Sequence, residues 1–291
     1  MIQLSWHYHL TATKSGDVRT ILKQQLLIPK HLIYQLRKAK RVQINQHYLP
    51  MNFTVEQGAS IDLTFEAQDF HQVQIPTPDD AQSVEPLYET NDLIVVNKRR
   101  GDKTHPNQPG ELGATINHVA AYLKPQGQVP YIIHRLDQQT SGAIIFGKNP
   151  SVVPILTRLI STKQIKRTYL AWVTGIINQD RGTIDQPIGI DPTDQRKRQI
   201  NGPNAAPAVT HFTVQKRDVN RTLVKIELET GRTHQIRVHF ASIGHPLVGD
   251  PLYNEGSPAP LQLHSAELTL IRPFYMQTKF ITAPLPDDFI M

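Results

Sequence analysis

The chain contains no cysteine in 291 residues. That excludes a disulfide framework, a thiol nucleophile and any cysteine-ligated zinc. It also lacks an apolar run near the roughly 20 residues that a membrane helix requires. The first residues, Met1-Ile2-Gln3-Leu4-Ser5-Trp6, have neither the basic start nor the apolar centre of a secretory signal. A soluble cytoplasmic protein is expected. Acidic residues are in the minority: 25 Asp and Glu stand against 31 Lys and Arg, for a net charge of +6. Hydrophobic residues make up 39%, enough for packed cores, so wholesale disorder is excluded.

The charge is unevenly spread. Between Lys14 and Arg41 lie eight cations and one acid, Asp17. Such a positive face favours a polyanionic partner. Around it, alternation of Ile2, Leu4, Trp6, Tyr8 and Leu10 predicts a strand. Val18, Ile21, Leu22 and Leu26 follow a helical period, and Pro29 suits the first turn of a second helix. That helix would bury Leu32, Ile33 and Leu36 and expose Lys30, Arg37, Lys38 and Arg41. Short strands are expected at Val42–Ile44 and around Ile61, Leu63 and Phe65. The segment resembles a degenerate S4-type RNA-binding module over residues 1–72, lacking the glycine that usually precedes its Val-x-Val-Asn strand. The resemblance implies phosphate contacts from Lys30, Arg37, Lys38, Lys40 and Arg41. A merely solvated helix face remains the alternative.

Pro76, Pro78, Asp79, Asp80, Ser83 and Pro86 punctuate a stretch without period, so residues 73–86 are assigned to a linker. Residues 87–291 then form the larger domain. Strand candidates are Leu93–Val96, Tyr169–Val173 and Leu223–Leu228, with a helix over Val152–Ile160. Many strands and few helices predict an α+β domain on a mixed, mainly antiparallel sheet.

Four polar strings are set among these elements. The richest is His134-Arg135-Leu136-Asp137-Gln138-Gln139-Thr140-Ser141-Gly142, between two apolar runs. Such a string puts polar side chains at a sheet edge, where a rigid scaffold can present them to a ligand. Taken alone, Arg135 and Asp137 also fit a structural ion pair. The others are Asn97-Lys98-Arg99-Arg100-Gly101, Arg167-Thr168-Tyr169-Leu170-Ala171-Trp172-Val173-Thr174-Gly175 and Thr230-Gly231-Arg232-Thr233-His234-Gln235-Ile236-Arg237-Val238-His239. A helix after Gly231 would turn Ile236, Phe240 and Ile243 to the core and put His234 with Arg237 on another face.

Together these strings resemble the signatures of the RluA-like family of RNA pseudouridine synthases. Arg99 departs from the family pattern, which has proline there, and Arg167 replaces a lysine. The resemblance implies that uridine in structured RNA is isomerised without any cofactor. Ribosomal RNA is the first expectation and transfer RNA the second. It makes Asp137 the catalytic carboxylate, Tyr169 a base-stacking ring and Arg237 the partner of that carboxylate. Arg135 would fill the space left by a flipped base, and His134, Arg232 and Lys98 would join it in binding substrate. Thr140, Ser141 and Gly142 fit a turn-stabilising role, and Gly249-Asp250 reads as structural. The loop from Asp191 to Pro207, with Arg196-Lys197-Arg198, fits either an RNA clamp or a solvated loop. Zinc at His234 and His239 is disfavoured, since no His-Glu-x-x-His spacing accompanies them. A monomer is expected. The rival readings are a non-catalytic RNA-binding or RNA-folding factor on the same fold and a hydrolase releasing free uracil.

Overall fold

The computed structural model describes residues 5–71 and 75–289; Ile2 and Leu4, in the expected first strand, lie outside them. The N-terminal module comprises β1 (Ser5–Thr11), β2 (Gly16–Asp17), α1 (Val18–Thr20), α2 (Lys30–Lys38), β3 (Val42–Ile44), β4 (Thr54–Val55) and β5 (Ser60–Glu66). Strands β1, β5 and β3 make an antiparallel sheet, and β2 pairs with β4. Asp17 caps α1 by accepting from the Thr20 amide at 2.9 Å. The helix then widens into a single π turn over Ile21–Gln25. Pro29 is the cap of α2, one place earlier than expected, and Leu32, Ile33 and Leu36 are buried.

The larger domain runs through β6 (Pro86–Glu89), β7 (Leu93–Lys98), α3 (Thr115–Leu123), β8 (Tyr131–Ile132), β9 (Ser141–Gly147), α4 (Val153–Ser161) and β10 (Lys166–Thr174). It continues with β11 (Arg181–Asp185), β12 (Ile188–Ile190), β13 (Arg198–Ile200), β14 (Val209–Asp218), β15 (Arg221–Leu228), α5 (Gln235–Ser242), β16 (Leu263–Ile271) and β17 (Thr278–Thr282). Ten strands form one sheet, in the order β11-β14-β15-β10-β16-β9-β7-β6, with β17 on β16 and β8 on β9. Within it only β9 and β16 pair in parallel. The expected α+β architecture is the one observed.

The sheet's centre is covered on both faces, which explains why Leu93–Val96 reads as an unbroken apolar run rather than an alternation. Leu93 and Val95 face one core, with Ala143 and Ile145 of β9 and Leu156 and Leu159 of α4. Ile94 and Val96 face the other, with Ile144 and Phe146, Val119 of α3, and Ile236 and Phe240 of α5. The first core also contains the interior of the N-terminal module, so that module is fused to the sheet rather than held by its linker alone. Tyr8 marks the junction. Its ring lies 4.0 Å from that of Phe274, and its hydroxyl meets Asp92 at 2.9 Å and Ser151 at 2.8 Å. Of the expected linker, residues 73 and 74 lie outside the described residues. The rest is tied to the start of α3, where Asn117 donates to the Thr77 carbonyl, and to the residues before it, where the Asp79 carboxylate accepts from the Gly113 amide. No helix among the described residues is long and apolar enough to cross a membrane.

Candidate active site

Asp137 sits in the loop between β8 and β9, in a four-residue turn closed by the Thr140 amide on the Asp137 carbonyl at 3.0 Å. The backbone around it is held from three sides. Thr104 Oγ1 donates to the Leu136 carbonyl at 2.8 Å and accepts from the Leu136 amide at 3.1 Å. Lys98 Nζ donates to the carbonyls of Arg99, Gln138 and Thr140 at 2.8–3.1 Å. Gly142 has a φ of +107°, and a Cβ there would lie 2.3 Å from the Ser265 carbonyl oxygen. Only glycine lets β9 start so close to β16. Thr140 therefore serves the turn as expected, but Ser141 and Gly142 open a strand, and the Ser141 hydroxyl bonds His264 at 2.9 Å.

Tyr169 is buried on β10 and lines the same cleft. The pairing of β10 with β16 slips at Thr168/Tyr169, a bulge of the kind that re-aims a side chain beside a site. Arg237 projects from α5, nearly fully buried. Its Nη1 lies 3.6 Å from Asp137 Oδ2, as the expected partnership requires. The fork, however, belongs elsewhere: Nε and Nη2 each meet an oxygen of the fully buried Asp250 at 2.7 Å. Asp137 therefore receives a single, longer contact from the guanidinium, and Asp250 anchors the arginine beside it. A carboxylate buried this deeply needs a cation or hydrogen-bond donors, but nothing in Leu-Val-Gly-Asp marks its burial in the sequence. Asp250 and Asp137 both favour the charged guanidinium, the former by direct hydrogen bonds.

The Arg237 guanidinium also lies 5.1 Å from the centre of the Tyr253 ring. The Tyr253 hydroxyl accepts from the Arg198 amide at 2.7 Å and meets His234 Nδ1 at 3.0 Å. The segment from Asp191 to Pro207 is accordingly tied to the site through the β12–β13 hairpin. Its charges are largely engaged within the chain, Arg196 with Asp194 and Lys197 with Glu255. The hairpin's two strands, three residues each, are too short to show a period in the sequence.

The cleft has a volume of about 580 Å³. Asp137, Tyr169, Arg237, Arg135, His134 and Arg232 all line it. Arg135 and Arg232 are exposed at its rim, and Arg232 Nε donates to the Pro207 carbonyl. His134 is buried and accepts from the Ile145 amide through Nε2 at 3.2 Å. Burial, helped by the nearby Arg167 charge, pushes its pKa down to about 3. The ring is therefore held neutral, with its Nδ1 buried in the cleft wall and without a hydrogen-bond partner among the described residues. Lys98, by contrast, falls outside the cleft lining: it is 1% exposed and spends its donors on backbone carbonyls. Burial pulls its pKa down to about 8 against the opposing charges of Asp102 and Asp137. Its role is to hold the Asp137 loop, which corrects the expectation of substrate contact.

Three further expectations need revision. Arg41 is turned inward, with forked bonds to Asp69 at 2.9 and 2.6 Å and Glu66 at 3.2 Å, so it leaves the basic face. Lys30, Arg37, Lys38 and Lys40 do remain exposed. Ile243 is 38% exposed because α5 ends before it, although Ile236 and Phe240 are buried as expected. The helix is entered through His234 in a left-handed conformation, φ +59°, rather than through Gly231. His239 is engaged by Thr210 and the Gln186 carbonyl. Among the described residues, no three His, Asp or Glu side chains converge as metal ligands would.

A mixed sheet thus brings a loop-borne carboxylate, a buried tyrosine and a buried arginine to one cleft, the arrangement that the motif resemblance implied for a pseudouridine synthase. Residues 92–242 match the family described as RNA pseudouridylate synthase, and residues 8–61 match the N-terminal domain of RluD ribosomal pseudouridine synthase. The chain belongs to the RNA pseudouridine synthase family and is an isomerase of its RluA type. It is 35% identical to the uncharacterized RNA pseudouridine synthase YhcT of Bacillus subtilis, over 92% of this chain and 89% of that one. It is 39% identical to ribosomal large subunit pseudouridine synthase D of Nitrosomonas europaea, over 69% of this chain and 62% of the relative. Among solved structures, human RNA pseudouridylate synthase domain containing 1 matches with a TM-score of 0.61 and 27% identity. The match covers 73% of this chain and 87% of that one.

Proposed function

We propose that the enzyme isomerises specific uridines in structured cytoplasmic RNA, ribosomal RNA first and transfer RNA second, with Asp137 as the essential carboxylate. The supporting observation is the position of Asp137 Oδ2, 3.6 Å from Arg237 Nη1 in a cleft that Tyr169 also lines. A uracil within folded RNA must leave its stack to reach such a cleft. Arg135, exposed at the rim, is suited to fill the vacated space. Tyr169 offers a ring face to the extruded base.

The reaction breaks the bond between N1 and C1′, rotates the base and joins C5 to C1′. The C5 proton leaves and N1 gains one, so no atom is added or lost. Asp137 acts either as nucleophile or as proton acceptor; both need an ionised carboxylate and no cofactor. Arg237 keeps that charge compensated, while the exposed cations of the N-terminal module add phosphate contacts without sequence choice. Total RNA from cells lacking the chain, complemented with wild type or Asp137→Asn, provides the test. Pseudouridine is expected to vanish from one or a few positions and to return only with wild type. Full restoration by the asparagine variant would refute the role of Asp137.

A further inference from the structure

Beyond the catalytic cleft lies a larger one, about 830 Å³, between the N-terminal module and the catalytic domain. Ligand clefts run from about 300 to 1,000 Å³, so its size fits a guest. The module contributes Pro29, His31 and Phe70, and the catalytic domain contributes His105, Pro106 and Tyr131. The outer face of α4 joins the two clefts: Pro154, Thr157 and Arg158 line the larger, Ile160 lines the catalytic one, and Ser161 lines both. The clefts also approach each other at His105, whose pKa is held down by burial and then by the charge of Arg135 on the catalytic rim.

The chemistry of this surface is selective. Its carboxylates are already satisfied, Asp69 by Arg41 and Glu111 by Lys103. Arg158 is exposed and reaches the Lys23 carbonyl at 3.4 Å, with no carboxylate partner among the described residues. The His105 Nδ1 is buried without a hydrogen-bond partner. Lys30, on the exposed basic face of α2, adjoins His31 at the opposite lip. Aromatic and proline faces with a cation free of any acid at the edge suit a ring that carries a phosphate. The lining begins at His31, next to the basic face of the module, and meets the lining of the Asp137 cleft at Ser161.

We propose that this cleft is a second RNA subsite, which receives an unstacked base and its phosphate from the strand flanking the target uridine. The proposal rests on the reading of the catalytic cleft given above. Extruding one base leaves its neighbours without a stacking partner, and an aromatic-lined cleft supplies a substitute. The base would lie against Tyr131 and Phe70, with Arg158 on its phosphate.

Kinetics with Tyr131→Ala and, separately, the exposed Arg158→Gln provide the test, using total RNA from cells lacking the chain as substrate. KM is expected to rise about tenfold for the tyrosine variant, the equivalent of one stacked base, and severalfold for Arg158→Gln. kcat should stay within about twofold for both, which a folding defect would not produce. In parallel, oligouridylate containing 4-thiouridine is cross-linked to the wild-type protein, with adducts expected at Tyr131, His105 or Phe70. Unchanged KM in both variants with adducts confined to the catalytic cleft would overturn the proposal. So would sedimentation showing a second copy of the chain dimerised through this cleft. Wild-type protein that forms no pseudouridine would instead defeat the reading of the catalytic site, and adducts at Tyr131 would still establish the larger cleft as an RNA site.

Discussion

Replacing Asp250 by asparagine should separate holding the site from performing its chemistry. Asp250 is fully buried and forms two 2.7 Å bonds to Arg237, itself 3% exposed. Removing one partner of such a pair leaves the buried guanidinium with only the more distant Asp137 to face it, at a cost of up to about 3–5 kcal/mol. That is a large share of the roughly 5–15 kcal/mol that stabilises a typical protein, and should lower the melting temperature by on the order of 10 °C. Asp137→Asn differs. Its carboxylate is partly exposed and stands 3.6 Å from a guanidinium already saturated by another acid. Its loss should change stability by about 1 kcal/mol or less while abolishing product. Urea denaturation and pseudouridine formation, measured on both variants, give the comparison. In Asp250→Asn the guanidinium, losing its anchor, should shift and depress activity at least tenfold in the surviving folded fraction. An Asp250→Asn enzyme with wild-type stability and turnover would refute the claim that this pair orders the site.

Lys98→Met removes three donors from the carbonyls behind the Asp137 loop. Turnover should fall far more than RNA affinity, which filter binding beside product analysis checks. Gly142→Ala forces a Cβ to within 2.3 Å of the Ser265 carbonyl oxygen, and should destabilise by about 3 kcal/mol or more, visible as a drop in melting temperature. The His134 pKa, about 3 when folded, lies below its unfolded value of about 6.5. Its contribution to stability is thus complete above about pH 6.5 and diminishes as pH falls toward the folded value, with a slope approaching 1.4 kcal/mol per unit. Denaturation at pH 7 and pH 5 should show that decline, and His134→Leu should reduce it. Changing Lys30, Arg37, Lys38 and Lys40 to glutamine should flatten the dependence of log affinity on log salt, by up to about 0.9 for each phosphate no longer neutralised.

Legibility from sequence followed the physics of each feature. Strands β7, β10 and β15 and helix α4 were readable because their apolar residues are periodic or form a run buried on both faces. The meeting of Asp137, Tyr169 and Arg237 was readable only through motif resemblance, since each sits on a different element and no local period links them. Asp250 escaped because a carboxylate's partner is set by tertiary packing, and an adjacent Gly-Asp looks like any turn. Lys98 was expected at the substrate and Arg41 on the basic face, yet the fold supplies carbonyls to one and carboxylates to the other. The fusion of the N-terminal module with the sheet was equally hidden. Tyr8 and Phe274 meet across nearly the whole length of the chain, and the proline-rich stretch between the modules suggested separation.

The parallel junction of β9 with β16 has a consequence for synthesis. Ser141 and Gly142 lean on His264 and Ser265, more than 120 positions downstream. While the chain emerges from the ribosome, the turn bearing Asp137 has no wall behind it until β16 is translated. Activity must therefore arrive late and all at once, and an early stop codon would leave no partly working enzyme.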